Sequence, residues 1–90
     1  MQVLELNQIV PDPSYIYYRR NYAAVAKLQM LSKTIDIKIS FTIEMGPLGD
    51  KVLYVDIEPG EDIDYPLIPV KSALKTHILK MDDEGLLPCP

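Results

Sequence analysis

The strongest constraint on the fold is a strict alternation in the middle of the chain, IDIKISFTIEM at residues 35–45. Every odd position carries an apolar side chain, and every even position carries Asp, Lys, Ser, Thr or Glu. Because successive side chains of a strand point to opposite faces, the pattern predicts a long β-strand with one buried face and one wet face. Its many β-branched residues favour the same structure.

A returning strand follows after a turn. Residues 46–50, GPLGD, have the Gly, Pro and Asp typical of a hairpin loop, and KVLYVDIE at 51–58 places Leu53, Val55 and Ile57 on one face. The two segments predict an antiparallel hairpin, 35–45/51–58. A two-stranded hairpin is not stable alone in water, so its apolar face needs a cover.

A helix over residues 69–85 is predicted to supply that cover. Pro69 suits the first helical turn, and Gly85 suits the left-handed position after the last turn. Three carboxylates at 82–84 oppose the helix dipole, which predicts fraying before Gly85. At about 100° per residue, the apolar arc consists of six residues: Val70, Ala73, Leu74, His77, Ile78 and Met81.

The N-terminal half has a less uniform pattern. Residues 3–10 and the aromatic segment 15–18 are each compatible with a short strand, separated by the prolines of 11–14. Residues 22–33 are nearly all good helix formers and follow Asn21, a suitable N-cap, so we interpret them as a helix. A strand is the alternative, because five side chains also alternate: Tyr22, Ala24, Ala26, Leu28 and Met30.

Together these segments predict a single α+β domain over residues 1–90, in the order β-(β)-α-β-β-α, with one or two helices on one face of a small antiparallel sheet. A 90-residue chain buries only about 60–65% of its unfolded surface, so its core is marginal. One cysteine and one histidine supply neither a disulfide nor a four-ligand zinc site, and no cofactor is expected. Good packing or association with protein is left to stabilise the fold.

Charge and hydropathy limit the expected partners and location. The net charge of −4, from nine basic and thirteen acidic residues, opposes general nucleic-acid binding. No stretch has the roughly 18 apolar residues of a membrane span, and the N-terminus lacks the basic region of a secretory signal. We therefore expect a cytoplasmic location, or a virion if the chain is a phage-like assembly subunit.

An aromatic and basic cluster, SYIYYRRNYAA at 14–24, contains four of the six tyrosines and both arginines. One alternative is a structural junction between strand and helix, with part of the rings in the core. Another is single-stranded nucleic-acid binding through residues 15–22, with bases stacked on rings and phosphates held by arginines. Tyr and Arg are also enriched at protein interfaces, so we expect four of these residues to contact a protein partner: Tyr15, Tyr17, Arg19 and Arg20.

Three leucines near the C-terminus are predicted to belong to the same partner surface. Leu79 falls opposite the apolar arc of the helix, and Leu86 and Leu87 follow its end. Apolar side chains that lie together on a surface mark interaction sites.

The segment DIEPGEDID at 56–64 has five carboxylates and no basic residue. A solvated turn is the simplest interpretation. Calcium takes several oxygen ligands, although the spacing differs from that of an EF-hand loop. Alternatively, the five side chains would contact a basic partner or imitate a phosphate backbone: Asp56, Glu58, Glu61, Asp62 and Asp64.

The residues offer little for catalysis. His77 has no recognisable nucleophile or orienting carboxylate in the sequence, so we interpret it as a core or interface histidine. Cys89 lies between prolines with no base nearby, and the four glycines mark turns or caps. We therefore predict a non-enzymatic protein.

The function predicted from these observations is a protein-protein interaction module, acting as a small acidic subunit or accessory protein of a larger assembly. A structural protein of a phage-like particle is one form of this function. An inhibitor that occupies a basic site on a host enzyme is another. The alternative from a different class is the single-stranded nucleic-acid-binding protein.

Overall fold

The computed structural model describes residues 1–13, 18–61, 63 and 65–88. The strands lie in the order β1-β2-β3-β4, and each is antiparallel to the next. The predicted α+β fold with a small antiparallel sheet is confirmed. Over these residues the chain forms four strands and one helix: β1 (Gln2–Pro11), β2 (Arg19–Gln29), β3 (Thr34–Met45), β4 (Lys51–Ile57) and α1 (Leu67–Asp83).

The central hairpin forms as its alternation predicts. β3 and β4 pair from Met45 opposite Lys51 to Ile39 opposite Ile57. At the turn the Gly46 N–H donates to the Asp50 carbonyl at 2.7 Å. The odd-numbered side chains of β3 lie beneath α1, and the even-numbered ones lie on the open face of the sheet.

The predicted order β-(β)-α-β-β-α is wrong, because residues 19–29 form a strand where the helix was expected over 22–33. This strand, β2, pairs with β1 on one side and β3 on the other. Its helix-forming residues follow the alternation instead of their propensity, since pairing and burial on a sheet outweigh small intrinsic preferences. The predicted strand-to-helix junction is therefore also wrong. Four alternating side chains of β2 are buried: Tyr22, Ala24, Ala26 and Leu28.

The core lies between α1 and one face of the sheet. Val70, Leu74 and Ile78 are completely buried and project from α1 at the spacing of successive helical turns. On the sheet side, the Tyr22 and Phe41 rings are stacked, with centroids 4.9 Å apart. The helix ends at Asp83, before Gly85, whose φ of 70° is the left-handed conformation that its sequence position predicts.

β1 contains two β-bulges, each of which places one extra residue in β1 opposite β2. The first lies between Val3 and Glu5, and the second lies between Asn7 and Val10. Because of the first bulge, Val3 and Leu6 lie on the same face of the sheet, although their spacing of three would place them on opposite faces of a regular strand.

Candidate binding groove

A groove runs between the edge strand β1 and α1. It consists of two adjoining hollows of about 370 and 230 Å³, which share His77 and Lys80 as lining residues. The larger hollow lies between residues 1–3 and the middle of the helix. The smaller hollow lies between residues 4–6 and the C-terminal end of the helix. We refer to the two together as the β1–α1 groove.

The smaller hollow has an apolar rim. Leu4 and Leu86 are 41% and 60% exposed and line it, while Leu6 is buried and Met81 half-buried. Leu4 is the extra residue of the first bulge, and bulges change the direction in which a side chain points. The bulge therefore adds an exposed leucine to the groove while Val3 and Leu6 stay on the core face.

The groove contains a cation at the point where its two hollows meet. Lys80 is exposed and makes no ion pair with any residue in the described ranges. Beside it on α1, His77 is half-buried. Of the acidic residues that line the smaller hollow, Glu5 is paired with Lys27 at 3.5 Å. The site therefore holds an accessible positive charge within an otherwise acidic chain.

The main chain of β1 also borders the groove. β1 is an edge strand, so only one of its two sides is paired. The register alternates, and the Asp12 N–H that donates to the Asn21 carbonyl at 2.8 Å fixes which positions face β2. By this alternation the N–H and C=O groups of Val3 and Leu6 point away from β2, towards the open edge.

The opposite side of α1 is closed by ion pairs. Asp82, with a side chain only 8% exposed, accepts hydrogen bonds from Arg20 at 3.0 Å and Lys51 at 2.7 Å. Lys51 also donates to Asp83 at 3.3 Å. These four side chains, the C-terminal clamp, connect the end of α1 to β2 and to the start of β4.

The clamp changes the pKa values of its members. Burial is the largest influence on the Asp82 carboxyl and opposes its ionisation, but the hydrogen bonds from Lys51 and Arg20 outweigh it and the pKa is lowered. Hydrogen bonding to Asp82 is the main reason that the pKa of Lys51 is raised. For Arg20, burial again opposes the charged form, and the bond to Asp82 leads the contributions that raise its pKa. All three groups are therefore held in their charged forms.

A hydrogen-bonded chain continues from the clamp to the C-terminal segment. Arg20 donates to the Tyr22 hydroxyl at 3.4 Å, and this hydroxyl donates to the Pro88 carbonyl at 3.0 Å. Leu87, between these contacts and the helix, is only 8% exposed and belongs to the core. The segment after α1 is thus fixed on the same face of the sheet as the helix.

The two arginines that the sequence places side by side lie on opposite faces of the sheet. Arg20 belongs to the clamp, whereas Arg19 is exposed on the open face with its Nε 4.0 Å from Glu44. Tyr15 and Tyr17 lie outside the described residues. The structure therefore separates the members of the predicted Tyr/Arg surface that it describes.

The three predicted leucines also lie apart. Leu86 borders the groove, Leu87 is in the core, and Leu79 is 36% exposed on the side of α1 that faces away from the sheet. Only Leu86 belongs to the groove. Leu4 and Lys80 were not predicted from the sequence, and the only available signal for Leu4 was the extra apolar residue in VLEL at 3–6.

The acidic segment is divided between separate contacts. Asp56 is 3.8 Å from Lys71, and a Glu61 carboxylate oxygen accepts a hydrogen bond from the Lys38 N–H at 3.2 Å. Glu58 is half-buried, while the two remaining predicted members, Asp62 and Asp64, lie outside the described residues. Among the residues described, no group of three or more His, Cys, Asp or Glu side chains is arranged to hold a metal ion.

Four sequential antiparallel strands covered on one face by a C-terminal helix define the class of this protein, a small α+β fold. Within that class the chain belongs to the protein family whose model matches residues 1–83, which is nearly its whole length. Comparison with curated proteins and with solved structures gave no match. In the described part of the chain, α1 is too short and too polar to span a bilayer.

Proposed function

We propose that this protein is a non-enzymatic protein-binding module that serves as a small acidic subunit or accessory protein of a larger assembly. The observation that carries the proposal is the β1–α1 groove, with Leu4 and Leu86 exposed at its rim. Covering neighbouring apolar side chains removes their surface from water, which favours association.

The charge distribution supports a protein partner more than a nucleic acid. Arg20 is engaged by Asp82 at 3.0 Å, and Arg19 lies 4.0 Å from Glu44. An arginine that already faces a carboxylate contributes less to phosphate binding, and the net charge of −4 opposes the approach of a polyanion.

The proposal is tested by capture of partners from extracts of the native source, with the purified chain as bait. Leu4→Lys places a charge on the groove rim without removing a core side chain. Leu31→Lys is the matched control, since Leu31 is almost fully exposed in the turn between β2 and β3. We expect a stoichiometric partner that the wild type and Leu31→Lys retain and that Leu4→Lys loses.

Purified partner and light scattering complete the test. Calorimetric titration of the isolated partner should reproduce the difference between the two variants, while circular dichroism shows that both are folded. A larger assembly of the chain itself that Leu4→Lys dissociates would support the self-assembling form of the function. A monomeric chain that captures no protein, or that captures the same proteins in all three forms, would contradict the proposal.

A further inference from the structure

We propose that the β1–α1 groove binds an extended peptide segment of a partner protein, with an acidic side chain opposite Lys80 and apolar side chains on either side of it. This inference rests on the proposed protein-binding function and specifies the partner's chemistry.

The dimensions of the groove fit a short extended segment. One wall follows β1 from Met1 to Leu6, which spans about 17 Å at the rise of a strand. The other wall follows α1 from Ala73 to Glu84, which also spans about 17 Å at the rise of a helix. Walls of equal length accommodate roughly five residues of extended chain.

The main chain of β1 favours an extended ligand over a helical one. The N–H and C=O groups of Val3 and Leu6 face the open edge, where a partner strand can bond to them. A helical ligand satisfies its own main-chain groups internally and would leave these unpaired. The bulge at Leu4 limits the pairing to a few bonds, so the side chains of the peptide must supply much of the affinity.

The opposite edge of the sheet is less suited to the same ligand. Asp56 projects from the open face of β4 and Lys71 from the helix on the other face, so their 3.8 Å contact passes over the free edge. A lysine that lies across an edge strand opposes the addition of another strand. The observations therefore favour the edge at β1.

The charge of the ligand follows from Lys80. It lies where both hollows meet and is unpaired among the described residues, whereas Glu5 at the smaller hollow is already bound to Lys27. A carboxylate on the ligand would form a charge-assisted hydrogen bond with Lys80. Apolar residues on either side of it would then contact Leu4 and Leu86 at one end, and Val3 and Ala73 at the other.

The test begins with selection of peptides from a random heptapeptide library displayed on phage, against the immobilised full chain. We expect the selected peptides to share an acidic residue with apolar residues at alternate positions. Fluorescence anisotropy of labelled synthetic copies should show about tenfold weaker binding to Lys80→Gln, as expected for loss of one charge-assisted bond. Leu4→Lys should abolish binding, and Leu31→Lys should leave it unchanged.

Amide hydrogen exchange provides a readout specific to strand addition. The Val3 and Leu6 amides should exchange more slowly when the selected peptide is bound. The inference is overturned if no peptide is enriched, if the enriched peptides are basic or have helical apolar spacing, or if these two amides are unaffected. It is also overturned if the groove proves to be occupied by a second copy of the chain, detected as a dimer that Leu4→Lys dissociates.

The two proposals can fail separately. Partner capture that depends on Leu4 together with any of these negative peptide results would retain the protein-binding function and reject the peptide ligand. Capture that does not depend on Leu4 would reject both.

Discussion

The two long sides of α1 use charged residues in different ways. On one side, Asp82 is enclosed by Arg20 and Lys51, and these pairs hold the end of the helix on the sheet. On the other side, Lys80 is unpaired among the described residues and His77 lines an open groove. One helix thus contributes to stability along one side and presents a binding surface along the other.

The clamp also explains a feature of the helix that its sequence makes unfavourable. The carboxylates of Asp82 and Asp83 lie in the last turn, where the helix dipole favours cations. Lys51 donates to both of them, and Arg20 adds a second cation at Asp82. Residues from β2 and β4 therefore supply the positive charge that this helix end lacks.

The difference between the two sides depends on the core that supports both. Ile78 is completely buried beneath α1, so Ile78→Ala should lower the free energy of unfolding by about 3 kcal/mol. Leu79→Ala, at the adjacent exposed position, should lower it by no more than about 0.5 kcal/mol. Urea denaturation measures both. Similar values for the two variants would contradict the placement of the core.

A direct comparison of the two sides substitutes one cation on each. Arg20→Ala should destabilise the fold by roughly 1–2 kcal/mol, a value reduced because the side chain is about one-third exposed. Lys80→Ala should change the stability by less than about 0.5 kcal/mol. In a domain of this size, each kcal/mol corresponds to about 4–8 °C in Tm. Equal shifts of Tm in thermal unfolding would remove the distinction between the sides.

Acidification should weaken the clamped side first. The folded-state pKa of Asp82 is lowered, so its ion pairs stabilise the protein above the unfolded-state value of about 3.9 and lose this contribution as pH falls through the folded-state pKa. Asp82→Asn should therefore be less stable than the wild type at pH 6, and the difference should shrink towards pH 3. Urea midpoints across this range test the expectation, with Asp36→Asn on the open face as control. A constant difference between Asp82→Asn and the wild type would contradict it.

The parts of the fold that the sequence predicted correctly are those with strict periodicity. The hairpin of β3 and β4 follows from eleven residues of alternation, and α1 from one apolar arc bounded by proline and glycine. β2 was interpreted wrongly as a helix because Ala, Leu, Lys, Gln and Met favour helices when neighbours are ignored. Its position between two strands supplies the information that local propensity lacks.

The groove and the clamp could not be predicted, because both depend on contacts between distant segments. Arg20 and Asp82 are 62 positions apart, and nothing in either local sequence identifies the other. The exposure of Leu4 depends on a bulge, which is a property of the pairing of β1 with β2 and not of β1 alone. The prediction that Leu86 lies on a partner surface remains a prediction, although the structure places it at the groove rim.

The position of Leu87 bears on where the folding unit ends. The family match stops at residue 83, yet Leu87 is buried in the core and the Pro88 carbonyl accepts a hydrogen bond from Tyr22. Truncation at residue 83 would expose apolar surface around Tyr22 and leave its hydroxyl without that acceptor. The shortest chain that retains all of the described core therefore extends at least five residues beyond the matched region, through Pro88.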